Sequence, residues 1–331
     1  MKLRPIPTNF THVESMEVQR NAHCNAIQYL KTSLGDENVH IVSSAKPPEP
    51  NPTNRNIDPS LLDSSVFGWM ITRGVQEDIL QSSNMVDTAA STVYMYSAAS
   101  QYNGAEAPGC FTVRPGQAVK IYKRDRTQGP QAQLAFPDKQ VETINNSANL
   151  GFNSLVNVLD ENTKDCVCNG YLKSFHGNLL HQLRTCGNKM QFICVRNIPK
   201  ESTTGMPVYM ILVSAPCIPP YIDEEEEDED QYKELQYLCA YFSFRAQFHA
   251  CICLAKENPG KQIVFKATTP GLGVFHNDPQ SVAEGFYHAA LDFQSLLRHH
   301  NVRIFIQVFH GRGDAREFVD ILGLQIGRAH V

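Results

Sequence analysis

The chain has 331 residues, of which 42% are hydrophobic, and a formal net charge of −5. That length buries a core large enough for one big α/β domain, and no apolar run approaches the roughly 18 residues that span a bilayer, so no membrane partner is expected. Eight of the 34 acids fall in one run, Asp223 to Asp230; without it Lys and Arg outnumber the acids, and they form no stripe interleaved with aromatics, so no nucleic-acid partner is expected.

The N-terminal twenty residues lack the apolar stretch of a secretory signal, which points to a cytoplasmic protein. A helix is expected over 13–34, ending at Gly35, followed by a strand at 39–42. The segment 45–58 carries Pro47, Pro48, Pro50 and Pro52, so it is a loop. Order resumes at Ser60 and runs through Phe67 and Trp69 to Gly74, where a helix over 75–82 begins with Gln76, Glu77 and Asp78 in its first turn. Acids there are explained by the partial positive charge of a helix start; Trp69 is either core or a lid over a ligand.

The middle third is harder to read. The stretch 118–122 alternates like a strand, 125–147 is polar and loop-like, 152–159 and 176–183 are helical runs, and 190–195 is a strand. Val208 to Val213 is a continuous apolar run, as a strand covered on both faces requires. The acidic run is a solvated insertion or a docking patch for a basic partner. A long helix follows over 232–255, then a strand ending at Ile263, Val264 and Phe265.

Pro270, Gly271 and Gly273 let the chain turn closely with N–H groups outward, and Asp278-Pro279 then caps and starts a helix. Such a turn is either an anion site or a structural turn only. A strand at 302–309 and a helix at 315–324 close the chain. Alternating strands and helices imply a three-layer α/β/α fold around a mixed, mostly parallel sheet.

The ten cysteines are scattered and are read as reduced thiols. Cys166-x-Cys168 and Cys251-x-Cys253 have one residue between the thiols where zinc knuckles have two, so no metal is expected; in the second pair the side chains are small buried residues of a helix. No G-x-S-x-G elbow, P-loop or H-E-x-x-H is present, and no cofactor is expected.

Together, Gly74-Val75-Gln76-Glu77-Asp78 with Ser82-Ser83, and Gly271-Leu272-Gly273-Val274-Phe275 with Asn277-Asp278-Pro279, resemble the microbial-type poly(ADP-ribose) glycohydrolases of the macrodomain superfamily, in that family's order. The resemblance implies a macrodomain-like fold over 1–331, with an insertion at about 127–204 and an acidic loop at 223–230. It implies ADP-ribose, or an ADP-ribosylated protein, as ligand. Gly271, Leu272, Gly273 and Val274 would wrap the pyrophosphate with Phe275 packed on the ligand, and Asn277 and Asp278 would fix the following helix. Asp78 would serve as acid and base, helped by Glu77, with Gln76 beside them and Phe309 or His310 stacked near the adenine. The implied activity is removal of ADP-ribose from a modified protein through an oxocarbenium-like state; the alternative is a non-catalytic ADP-ribose-binding or interaction protein. Departures from the family are the missing Gly-Gly-Gly run, with only Gly68 and Gly74 in the corresponding loop, and Asp in place of Glu at 78. Bacterial effectors acting on ADP-ribosylated host proteins, ubiquitin included, are one subgroup, for which the location would be host cytoplasm.

Overall fold

The computed structural model describes residues 14–44, 55–85, 91–105, 132, 134–172, 177–217, 229–273, 275–309 and 313–326. The expected strand at 118–122, Val274, His310 and most of the acidic run lie outside them. Helix α1 spans Met16–Leu34, β1 Val39–Ser43, β2 Phe67–Thr72, α2 Val75–Ser83 and β3 Thr92–Ala99. Helix α3 (Asp138–Asn149), the short strands β4 (Val167–Cys168) and β5 (Tyr171–Leu172), and α4 (Gly177–Cys186) follow. Then come β6 (Gln191–Asn197), β7 (Val208–Val213), α5 (Glu229–Glu257), β8 (Gln262–Ala267), α6 (Pro279–His299), β9 (Val302–Phe309) and α7 (Gly313–Ile321).

Seven strands form one mixed sheet in the order β1-β6-β7-β3-β8-β9-β2. From β7 to β2 every neighbouring pair is parallel, while β6 runs antiparallel to both β7 and β1. The loops leaving β7, β3, β8, β9 and β2 therefore emerge along one edge of the sheet, where ligands sit in open α/β folds.

Side chains alternate between the two faces as the pleat requires. Met95, Ile211, Ile263, Phe265, Ile304 and Ile306 join the core under α4 to α7. Tyr94, Tyr96, Met210, Leu212, Val264 and Phe305 join the core under α1, α2 and α3. Helix α5 is apolar around most of its surface because neighbours enclose it: its most apolar window is 83% buried, which makes it a core helix despite a length and hydropathy that meet the criterion for a membrane span. Its contact with α6 is close because Gly285 has no side chain; a Cβ there would stand 2.7 Å from Ala240 Cβ and 2.8 Å from the Tyr237 carbonyl.

The middle third departs from expectation in three ways. The polar stretch expected as loop over 125–147 contains α3, whose buried side includes Gln140, Thr143, Asn145 and Ser147 as well as Val141 and Ile144. The run at 152–159 forms turns. The expected insertion at 127–204 supplies β6, an interior strand of the sheet, and places Phe136, Ile144, Phe152, Ile193 and Val195 in the core. The strand β3, at the centre of the sheet, was not foreseen.

Candidate functional site

The turn after β8 is built around Asn277, which is 3% exposed and donates its N–H to the Gly271 carbonyl at 3.1 Å. Gly271 has φ +85°, and a Cβ there would lie 2.1 Å from Asn277 Nδ2 and 2.8 Å from Ala215 Cβ. Only glycine meets both conditions, the left-handed backbone and the missing volume. Leu272 donates its N–H to the Thr269 carbonyl and His276 to that of Gly273, closing the turn from within. The N–H groups of Gly271 and Gly273 donate to no described residue. They are left for an outside acceptor, as in the backbone concavities that bind anions.

The helix start is not part of that anion site. Asp278 Oδ2 accepts from the Ser281 N–H at 2.8 Å and from its hydroxyl at 2.6 Å, so the N-terminus of α6 is filled by its own cap. The Asp278 N–H donates to Gln236 Oε1 at 2.8 Å, tying the turn to α5.

Two loops flank the turn on the β3 and β7 side. The Thr268 N–H donates to Ser97 Oγ at 2.7 Å, joining the exits of β8 and β3. Beyond β3, the Asn103 side chain accepts from the Ala105 N–H at 3.0 Å, and the Tyr102 N–H donates to the Gly170 carbonyl at 2.8 Å, which holds the β4–β5 hairpin against the loop. Phe275 is half-buried on Tyr171 of that hairpin, with ring centroids 6.0 Å apart, and packs against the buried Cys217 beyond β7. The loop at 100–105 and Tyr171 were missed in the sequence. Their one signal is the run Thr92-Val-Tyr-Met-Tyr, β-branched and aromatic, ahead of Asn103-Gly104.

Asp78 occupies a different place. Strand β2 is the sheet edge, and β9 lies between it and β8, so the two exits are about 10 Å apart at the usual strand spacing. Helix α2 then lies on the face of the sheet. Asp78 is 7% exposed, and its Oδ2 accepts from Thr72 Oγ1 and from Gln307 Nε2, both at 2.6 Å. One turn on, Ser82 Oγ takes part in hydrogen bonds with Tyr96 OH at 2.5 Å and Lys266 Nζ at 3.2 Å, while Tyr96 OH also reaches the Asp78 carbonyl at 2.7 Å. Burial lowers the Lys266 pKa, with the nearby Asp78 charge opposing the shift, and burial raises that of Tyr96 well above its ordinary range. Of the three polar residues expected to act together at the start of α2, Asp78 is buried against Thr72 and Gln307, Gln76 is half-buried and Glu77 is exposed.

Trp69 is core. It is 6% exposed on β2, its Nε1–H donates to the Leu324 carbonyl at 3.0 Å, and Arg316 stacks over its ring at 4.5 Å. Phe309 ends β9 half-buried, against the core under α2. Among the described residues no group of three or more His, Cys, Asp or Glu side chains is arranged to hold a metal ion.

No protein-family model matches the chain, and no curated protein sequence does. Among solved structures it is similar to the poly(ADP-ribose) glycohydrolase of Thermomonospora curvata, at 12% identity and TM-score 0.44, covering 92% of this chain and 99% of that one. It is also similar to the Oceanobacillus iheyensis macrodomain with MES bound, at 10% identity and TM-score 0.36 over 71% of this chain and 87% of that one. A third likeness is the Trypanosoma brucei macrodomain in complex with ADP, at 12% identity and TM-score 0.34 over 95% and 92% of the two chains. Likenesses this distant leave the function to be argued from the chain's own residues.

Proposed function

We propose that this chain binds ADP-ribose, with the 271–273 turn on the diphosphate, Phe275 beside the ligand and Phe309 toward the adenine. The observation that carries this reading is the pair of N–H groups on Gly271 and Gly273 that donate to no described residue, in a turn locked by Asn277 at the ligand-binding edge of the sheet. A diphosphate supplies several acceptor oxygens to such donors without needing a cation.

A second reading, removal of ADP-ribose from a modified protein with Asp78 as acid and base and Glu77 as helper, is favoured by the exposure of Glu77 on the first turn of α2. It requires Asp78 to leave Thr72 and Gln307, because a general acid must come within hydrogen-bond reach of the leaving group. Binding is therefore the better supported of the two.

Calorimetry with free ADP-ribose, run beside a release assay on a mono-ADP-ribosylated protein, separates them. The expected result is binding by the wild type, at least about tenfold weaker binding by Gly271→Val, and no release. No binding by the folded wild type at millimolar ADP-ribose would overturn the proposal. Release that disappears in Asp78→Asn while binding persists would restore the hydrolase reading with Asp78 in its catalytic role.

A further inference from the structure

A cleft of about 600 Å³, open to solvent, lies at the antiparallel end of the sheet, where β1 ends and β6 begins. Every side chain lining it is polar. Two are cations, Arg20 from α1 and Lys189 from the turn before β6, and among the described residues no carboxylate lines it. Glu161 feels the Arg20 charge, and it already accepts from the Met16 N–H at 2.8 Å and pairs with Lys164 at 3.0 Å. Lys189 is exposed and has no ion pair among the described residues.

The neutral groups are oriented by their own hydrogen bonds. The Asn153 N–H donates to His23 Nδ1 at 3.1 Å, which leaves Nε2 as the protonated nitrogen; it donates to Gln191 Oε1 at 2.8 Å. The same oxygen accepts from Asn157 Nδ2 at 3.1 Å. With its carbonyl occupied, Gln191 offers the cleft its amide N–H groups, and Asn157 keeps a carbonyl oxygen. Ser44, also on the wall, is 6% exposed and its hydroxyl has no partner among the described residues, which in a folded interior calls for one. Two cations, one of them Arg20 held by a hydrogen bond to the Leu159 carbonyl at 3.0 Å, an amide donor and a buried hydroxyl thus share a wall that carries no negative charge among the described residues.

We propose that this cleft is a binding site for a phosphate ester, distinct from the glycine turn. Donors arriving from several directions suit the tetrahedral oxygens of phosphate better than a planar carboxylate, and pairing with cations makes these the stronger kind of hydrogen bond. The volume exceeds what inorganic phosphate needs and falls within the range that holds a small organic ligand, and Asn157 supplies an acceptor for a sugar hydroxyl. The site does not depend on whether the glycine turn binds ADP-ribose.

The test uses the wild-type protein, titrated calorimetrically with adenosine monophosphate, with inorganic phosphate and with adenosine; only binding that responds to changes at Lys189 and Ser44 is assigned to this site. The expected result is binding of the monophosphate, weaker binding of phosphate, none of adenosine, and a loss of about tenfold or more in affinity with Lys189→Glu, as for removal of one charge-assisted hydrogen bond. Lys189 is exposed, so the variant is expected to fold; Ser44→Ala should weaken binding as well. Unchanged affinity in both variants, or no binding of either phosphate probe at millimolar concentration, would overturn the site. Equal affinity for inorganic phosphate and the monophosphate would overturn the ester and leave a phosphate site.

Discussion

Asn277 and Gly271 compete for one small volume, and that competition makes the turn rigid. Gly271→Ala adds a Cβ at 2.1 Å from Asn277 Nδ2 on a backbone at φ +85°. The expected loss is about 2–4 kcal/mol, part from the left-handed backbone and part from the clash. Asn277→Ala removes the clashing group, so the double variant should recover the steric part only; two losses that simply add in denaturant titration would refute this coupling. A second residue-scale outcome concerns His23. Burial lowers its pKa from 6.5, with the hydrogen bond to Gln191 working against the shift. The unfolded chain thus takes up this proton before the folded one, so the contribution of His23 to stability is full above pH 6.5 and is lost as pH falls through the lowered folded value. Unfolding titrations across that range should show the decline in the wild type and a smaller one in His23→Gln; identical slopes would exclude His23 as the source.

At the scale of elements, helix α2 shows why a sequence motif can be found without its place in the sheet being legible. Its start at Val75, its length and its two first-turn acids were all readable, because helix signals are local. Its position was not, since β2 joins the sheet next to β9, far along the chain. The glycine turn was readable for the same local reasons: Pro270, Gly271, Gly273 and the Asp278-Pro279 cap lie within ten residues. Its neighbours were not, because they come from β3 and β7 through pairings set by the whole sheet. Helix α3 was hidden by chemistry, since its buried side carries Gln140, Thr143 and Ser147 and so blurs the apolar period. The network under α2 yields its own test. Lys266→Met removes a buried amine with a lowered pKa, which alone should change stability little, because the desolvation of the amine is relieved. It also removes the cation near Asp78, so the cost should be larger when Asp78 is intact than in an Asp78→Asn background, by about 0.5 kcal/mol or more in a double-mutant cycle. A coupling near zero would mean that Asp78 is satisfied by Thr72 and Gln307 alone.

For the whole molecule, the decisive feature is that one sheet separates two cores, and each core is completed by segments distant in sequence. Strand β6 pairs with β1 on one side and β7 on the other, so the N-terminal helix and strand reach the parallel sheet only through the middle third. Were 127–204 a true insertion, a short Gly/Ser linker in its place would leave a folded protein, since surface insertions cost little loop entropy. The structure predicts the opposite. Removing it takes away Phe136, Ile144, Phe152, Ile193 and Val195, leaves Met210 and Leu212 of β7 uncovered, and turns β7 into an apolar edge. Burial of a large apolar side chain is worth about 1.5–3 kcal/mol, so losing five, about 7.5–15 kcal/mol, is comparable with the roughly 5–15 kcal/mol by which a domain is stable at all. The deletion should therefore give insoluble or unfolded protein. A soluble deletion variant with a cooperative thermal transition would show instead that β1 and α1 dock directly on β7, and that the middle third is dispensable to the fold.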